Sequence, residues 1–162
     1  HYLQLAHSNA SKAPTQVRAI FTSGLFAEGW AVYGEQLMAR AGYGGPEVHM
    51  EQLKMRLRVI INAILDQKIH TQGMTERQAL DLMEHEGFQE EGEAVGKWRR
   101  ASLSSTQLST YGGFCSERDY ILAAAEAQAA KDKVPFDLKA FHDRLLSFGS
   151  PAPKYARRLM GL

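Results

Sequence analysis

Apolar positions along this chain recur at spacings of three and four, with almost no two-residue alternation, and short Gly, Pro and Ser stretches separate the periodic segments. That pattern predicts an all-α fold. Residues 1–10 read as the end of a helix that starts before His1, followed by a polar loop over 8–14. A helix beginning at Val17 or Leu25 and ending at Arg40 carries Phe26, Trp30, Tyr33 and Leu37 on one face, and Gly42 with Gly44-Gly45 closes it. Pro46 suits the first turn of the longest helix, in which Met50, Leu53, Leu57, Ile60, Ile61 and Ile64 form an expected buried stripe running toward His70. Thr75 and Gln78 have the spacing of a capping box that opens a helix through Glu84, with Gly87 as its stop. A helix over 90–101 gives way to a Ser/Thr-rich loop over 102–110, and Tyr111-Gly112-Gly113 precede a helix reaching Lys131. Asp137 caps a helix bearing Leu138, Phe141, Leu145 and Leu146, which Gly149 ends, and Pro151 or Pro153 starts the last one.

With 162 residues, 44% of them apolar, the chain is long enough to bury one core, and residues 1–162 are expected to form a single helical domain. No apolar run approaches the roughly 18 residues of a membrane span, and no charged-then-apolar signal segment opens the chain. Nineteen basic and eighteen acidic residues leave a net charge of +1, without the clustered positive field that nucleic acid requires. The single Cys115 has no internal disulfide partner, so packing must hold the fold. The absence of an initial methionine places the expected natural start upstream, and leaves cytoplasmic and exported parents both open.

The segment most suggestive of chemistry is Ala27-Glu28-Gly29-Trp30-Ala31-Val32-Tyr33-Gly34-Glu35, which sets a carboxylate in an otherwise apolar helical face. An ionised Glu that is buried needs an ion pair, hydrogen bonds or a metal. An exposed Glu at a helix start needs none of these, and spacing alone does not choose. Glu35, seven residues on, falls on nearly the same face.

This segment resembles the E-G-W-A-x-Y-x-E signature of a bacterial family of zincin-like proteins, domain of unknown function eight-eight-five. His1-Tyr2-Leu3-Gln4 is similar to the last four positions of that family's H-E-x-x-P-G-H-x-x-Q motif. Asp66-Gln67-Lys68-Ile69-His70 resembles its D-x-G-(I/L)-H block, with Lys68 in place of Gly, and Met74-Thr75-Glu76-Arg77-Gln78-Ala79 resembles its W-T-x-x-Q-A block, with Met74 in place of Trp. Gln107-Leu108-Ser109-Thr110-Tyr111 with Gly113, and Phe136-Asp137-Leu138 leading to Phe141-His142-Asp143, are similar to the remaining blocks, so the likeness spans essentially the whole chain.

The resemblance implies the C-terminal part of a zincin-like helical peptidase fold, acting on peptide substrates with zinc as cofactor. Carried over, His1 and Glu28 are metal ligands, while the first His and the general-base Glu lie upstream of residue 1. A catalytic zinc takes three protein ligands and a water, so the isolated chain is expected to hold zinc weakly and to be inactive. His70 is a candidate for orienting substrate or steadying an oxyanion, with Asp66 one turn earlier holding its tautomer; a helix-end histidine favoured by the dipole is the structural alternative. Tyr111 is a candidate hydrogen-bond donor to a tetrahedral intermediate, or a packed phenol. Arg100, which fits the family pattern better than Arg99, is a candidate fork for a substrate carboxylate, or part of a solvated face. His142 and Asp143 read as a structural pair, and His7, His49 and His85 carry no role.

The expected partners are a peptide substrate, the upstream part of the same protein, and a further copy of the chain through exposed apolar surface. The competing reading is a helical scaffold or interaction module without catalysis.

Overall fold

The computed structural model describes residues 1–10 and 16–162, without the side chains of residues 7–10, 18, 19 and 116. Among these residues every regular element is helical, as the periodicity predicts: α1 (Tyr2–Ala10), α2 (Gln16–Ile20), α3 (Gly24–Arg40), α4 (Gly45–Gln72), α5 (Glu76–Asp81), α6 (Glu91–Leu103), α7 (Thr110–Lys131), α8 (Leu138–Ser147) and α9 (Pro153–Met160), with a π-helical turn over Leu82–Glu86. The loop expected over 8–14 begins later than predicted, since residues 8–10 belong to α1, and its remainder lies outside the described residues. No helix among the described residues is long and apolar enough to cross a membrane. Two compact units form, one from His1–Ala31 with Phe114–Leu162 and one from Val32–Gly113.

In the first unit, the alternative starts for α3 resolve at Ser23. Its hydroxyl accepts from the Phe26 N–H at 3.3 Å and its carbonyl accepts from the Ala27 N–H at 3.0 Å, so α2 and α3 are separate helices. Phe26, Phe114, Ile121, Phe141, Leu145, Leu146, Ala156 and Met160 make the core, with Trp30 and Phe136 packed against it. Burying an aromatic such as Phe26 or Phe114 contributes roughly 1.5–3 kcal/mol. Asp137 caps α8 as predicted, accepting from the Ala140 N–H at 3.0 Å. Pro153, not Pro151, occupies the first turn of α9. Gly29 is where α3 meets Phe114: a Cβ there would run into the Phe114 side chain, within 2.7 Å of its Cγ. The glycine of the Glu-Gly-Trp segment therefore serves close packing.

In the second unit, α4 ends at Gly73, whose φ of 64° is the left-handed conformation that terminates helices, with its N–H bonded to the Lys68 carbonyl. The expected apolar stripe is not the buried one. Gln52, Val59, Ile61, Asn62, Leu65 and Asp66 face inward, whereas Met50, Leu53 and Ile60 are exposed. An apolar period could not reveal this face, because half of it is polar. The core gathers Ile61, Leu65, Ala79, Met83, Ala94, Ala101 and Leu108.

The Thr75 and Gln78 capping box is present, each residue bonding the other's backbone N–H. The helix it opens is regular only to Asp81, and the π turn then replaces the expected continuation. Tyr111, Gly112 and Gly113 lie inside the first turn of α7 rather than before it, their geometry set by Ser109, whose carbonyl accepts from the Gly112 and Gly113 N–H groups at 3.2 and 3.1 Å.

Candidate functional site

Within the first unit, α1 and α3 bring the predicted ligand pair together: His1 Nε2 stands 3.8 Å from Glu28 Oε2, across 27 positions of sequence. Both side chains remain partly open to solvent, at 50% and 38% exposure. The other ring nitrogen, Nδ1, lies 3.4 Å from Gln4 Oε1. Gln4 is buried, and its amide nitrogen donates to the Ser150 hydroxyl at 3.4 Å. With the Nδ1 proton given to Gln4, Nε2 presents its lone pair toward Glu28. Imidazole and carboxylate are donors that zinc accepts, and two donors on a tetrahedral ion with bonds of about 2.0–2.1 Å stand roughly 3.3 Å apart. The two residues present therefore fit a shared ion after a small approach. Among the described residues no group of three or more His, Cys, Asp or Glu gathers as a metal centre.

The second unit centres on Asp66, buried on α4. Its Oδ1 accepts from the Thr106 N–H at 2.8 Å, and its Oδ2 accepts from the Ser109 N–H at 2.9 Å and the Ser109 hydroxyl at 2.8 Å. Burial alone would push this carboxyl up; the Ser109 and Thr106 donors, with the nearby His70, outweigh it and hold the group below the ordinary carboxylate value. Asp66 is thus an anion that fastens the loop over 104–109 to α4.

His70, one turn on, directs Nε2 to the Ala101 carbonyl at 3.0 Å, with Asp66 Oδ1 farther off at 3.7 Å. The tautomer role expected of Asp66 therefore falls to Ala101: a carbonyl accepts only, so Nε2 carries the proton and Nδ1 of the neutral ring is an acceptor. Asp66, Gln67, His70, Ser105, Thr106 and Ser109 line an open groove of about 350 Å³. Tyr111 sits half-buried in the first turn of α7, and Arg100 is exposed at the end of α6, next to the residue that receives His70.

Sequence reasoning overlooked a second polar cluster in this unit. Lys97 has a side chain only 9% exposed; its ammonium donates to Gln89 Oε1 and lies 3.7 Å from Glu93, which also pairs with Arg58 at 2.8 Å. Burial, with the Arg58 and Arg100 charges, lowers the Lys97 pKa, and Glu93 opposes the shift. The signal available was Glu93 four residues before Lys97 on a helix. The expected structural pair in α8 takes another form: the His142 ring stands edge-on to Trp30, with centroids 5.4 Å apart, while Asp143 accepts from Lys139.

A solved structure of a candidate lipoprotein of unknown function from Shewanella oneidensis is similar to this chain, with 47% identity and a TM-score of 0.87. The likeness covers 100% of this chain and 29% of that one, so the chain spans under a third of the length of the protein it matches. No curated protein matches. The signature segments now have their places in the fold, and the sequence profile matching residues 1–160 shows that the chain belongs to the family described as bacterial protein of unknown function, DUF885.

Proposed function

We propose that this chain is part of a longer zinc-dependent metallopeptidase, to which it contributes two ligands, His1 and Glu28, and three substrate-facing groups, His70, Tyr111 and Arg100. The observation that carries this reading is the 3.8 Å approach of His1 Nε2 to Glu28 Oε2, with the other imidazole nitrogen engaged by a buried amide. Such an outer hydrogen bond fixes the ring orientation and raises ligand basicity. When bound, zinc supplies Lewis-acid polarisation of the peptide carbonyl and an activated water.

The chain's own groups do the rest. Neutral His70, its Nε2 proton given to Ala101, accepts through Nδ1 and becomes a second donor only as a cation. The Tyr111 hydroxyl supplies a neutral donor for a developing oxyanion. Arg100, exposed at the end of α6, offers a two-pronged fork to a substrate carboxylate. With two donors for a site that takes three, the chain alone holds zinc weakly and does not turn over.

The test is metal analysis and peptide hydrolysis of the longer protein and its Glu28→Ala variant. Stoichiometric zinc in the parent, with affinity lowered on the order of a hundredfold and hydrolysis lost in the variant, is expected. Absence of zinc from both forms overturns the reading in favour of a helical scaffold.

A further inference from the structure

The second unit leaves one long helical face open. Met50, Leu53, Leu57, Ile60 and Ile64 follow one another on α4 at spacings of three and four, the seam that packs one helix along another. Met50, Leu53 and Ile60 are 59%, 45% and 50% exposed, and Leu57 and Ile64 are half-buried. The seam runs over about 21 Å, or roughly four helical turns. His49, Lys54 and Arg56 flank its N-terminal half.

These flanks select the partner. In a parallel pairing of two copies Lys54 faces His49 and Arg56 faces Ile61; in an antiparallel pairing centred on the seam, Arg56 faces its own copy. Neither arrangement supplies an acidic residue, and the exposed Lys54 to Glu51 contact at 2.9 Å is a local surface pair of little weight. A helix with the same apolar spacing and Glu or Asp on its flanks satisfies both the seam and the charges.

We propose that the α4 seam seats such an amphipathic, acid-flanked helix, contributed by the longer polypeptide from outside residues 1–162. This rests on the reading of the chain as part of a longer protein; the matched Shewanella oneidensis chain likewise contains much more than the part this chain covers.

The experiment is maleimide labelling of the longer protein, with Met50→Cys and Ile60→Cys placed singly in a Cys115→Ser background and Arg77→Cys as the exposed control. Both seam positions are surface sites on α4, and circular dichroism verifies that each variant keeps its helices. Labelling at both positions slower than the control on the order of tenfold is expected, and adding Lys54→Glu with Arg56→Glu is expected to return much of the reactivity. Labelling as fast as the control overturns the proposal. Protection that disappears on dilution together with a dimer, followed by light scattering, overturns it in favour of a second copy. Labelling is read with zinc removed by chelation, so a protected seam in a protein that never binds zinc sinks the peptidase reading alone, and a reactive seam in a zinc protein sinks this one alone.

Discussion

Ser109 donates both its backbone N–H and its hydroxyl to the same oxygen of Asp66, at 2.9 and 2.8 Å. The other oxygen takes the N–H of Thr106, a residue held at a φ of 67° in the left-handed region, where a β-branched side chain is strained. A single anion on α4 thereby sets the path of the loop that leads into α7 and shapes one wall of the groove beside His70.

Removing that anion orphans several donors at once. Asp66→Ala is expected to destabilise the protein by about 2–4 kcal/mol, and Ser109→Ala, which removes only the hydroxyl bond, by about 1 kcal/mol. Urea unfolding of both variants measures the difference. Equal effects would show that the backbone N–H bonds contribute nothing.

Acid should weaken the fold in two stages. Burial holds the His142 pKa down despite Asp143, so the folded state favours the neutral ring; its contribution is complete above the unfolded value of about 6.5 and is lost as pH falls through the folded value. Asp66 ionises more readily folded than unfolded, so its contribution is complete above about 3.9 and is lost as pH falls through its lower folded value. Unfolding midpoints followed downward from about pH 8 should decline first just below about 6.5, a step missing in His142→Phe. A second decline should begin near about 4 and be missing in Asp66→Asn.

Gly29→Ala places a methyl group against the Phe114 side chain in the first core, where neighbouring atoms leave it no room. An overpacking cost of about 3 kcal/mol is expected. Coupling it with Phe114→Leu should return part of that loss, which thermal unfolding of the single and double variants measures.

Thr75→Ala removes one half of the reciprocal cap on α5 and should cost about 1 kcal/mol. Restoration by Thr75→Ser, judged by the urea midpoint, separates the cap from any packing by the threonine methyl.

Local chemistry was readable from sequence, and contacts distant along the chain were not. Caps such as Thr75 with Gln78, and Asp137 on α8, involve residues three apart and obey short-range rules. The inward face of α4 escaped the same reading, because Asn62 and Asp66 occupy positions that an apolar period assigns to solvent, and what holds Asp66 there lies 40 and 43 positions away. The approach of His1 to Glu28 follows from no spacing rule; family likeness suggested it. The Ala101 carbonyl, 31 positions from His70, leaves no signature in side-chain chemistry.

The π turn over Leu82–Glu86 closes with the Gly87 N–H on the Leu82 carbonyl, five residues back, at 3.1 Å. It holds one residue more than an α-helical turn would use. Shortening this stretch by a single codon would let it relax to an ordinary turn and swing everything after it by about 100°. Gln89 would then face away from the Lys97 ammonium it now receives. What this segment must preserve is its residue count, so point changes at its exposed positions are tolerable where a deletion is not.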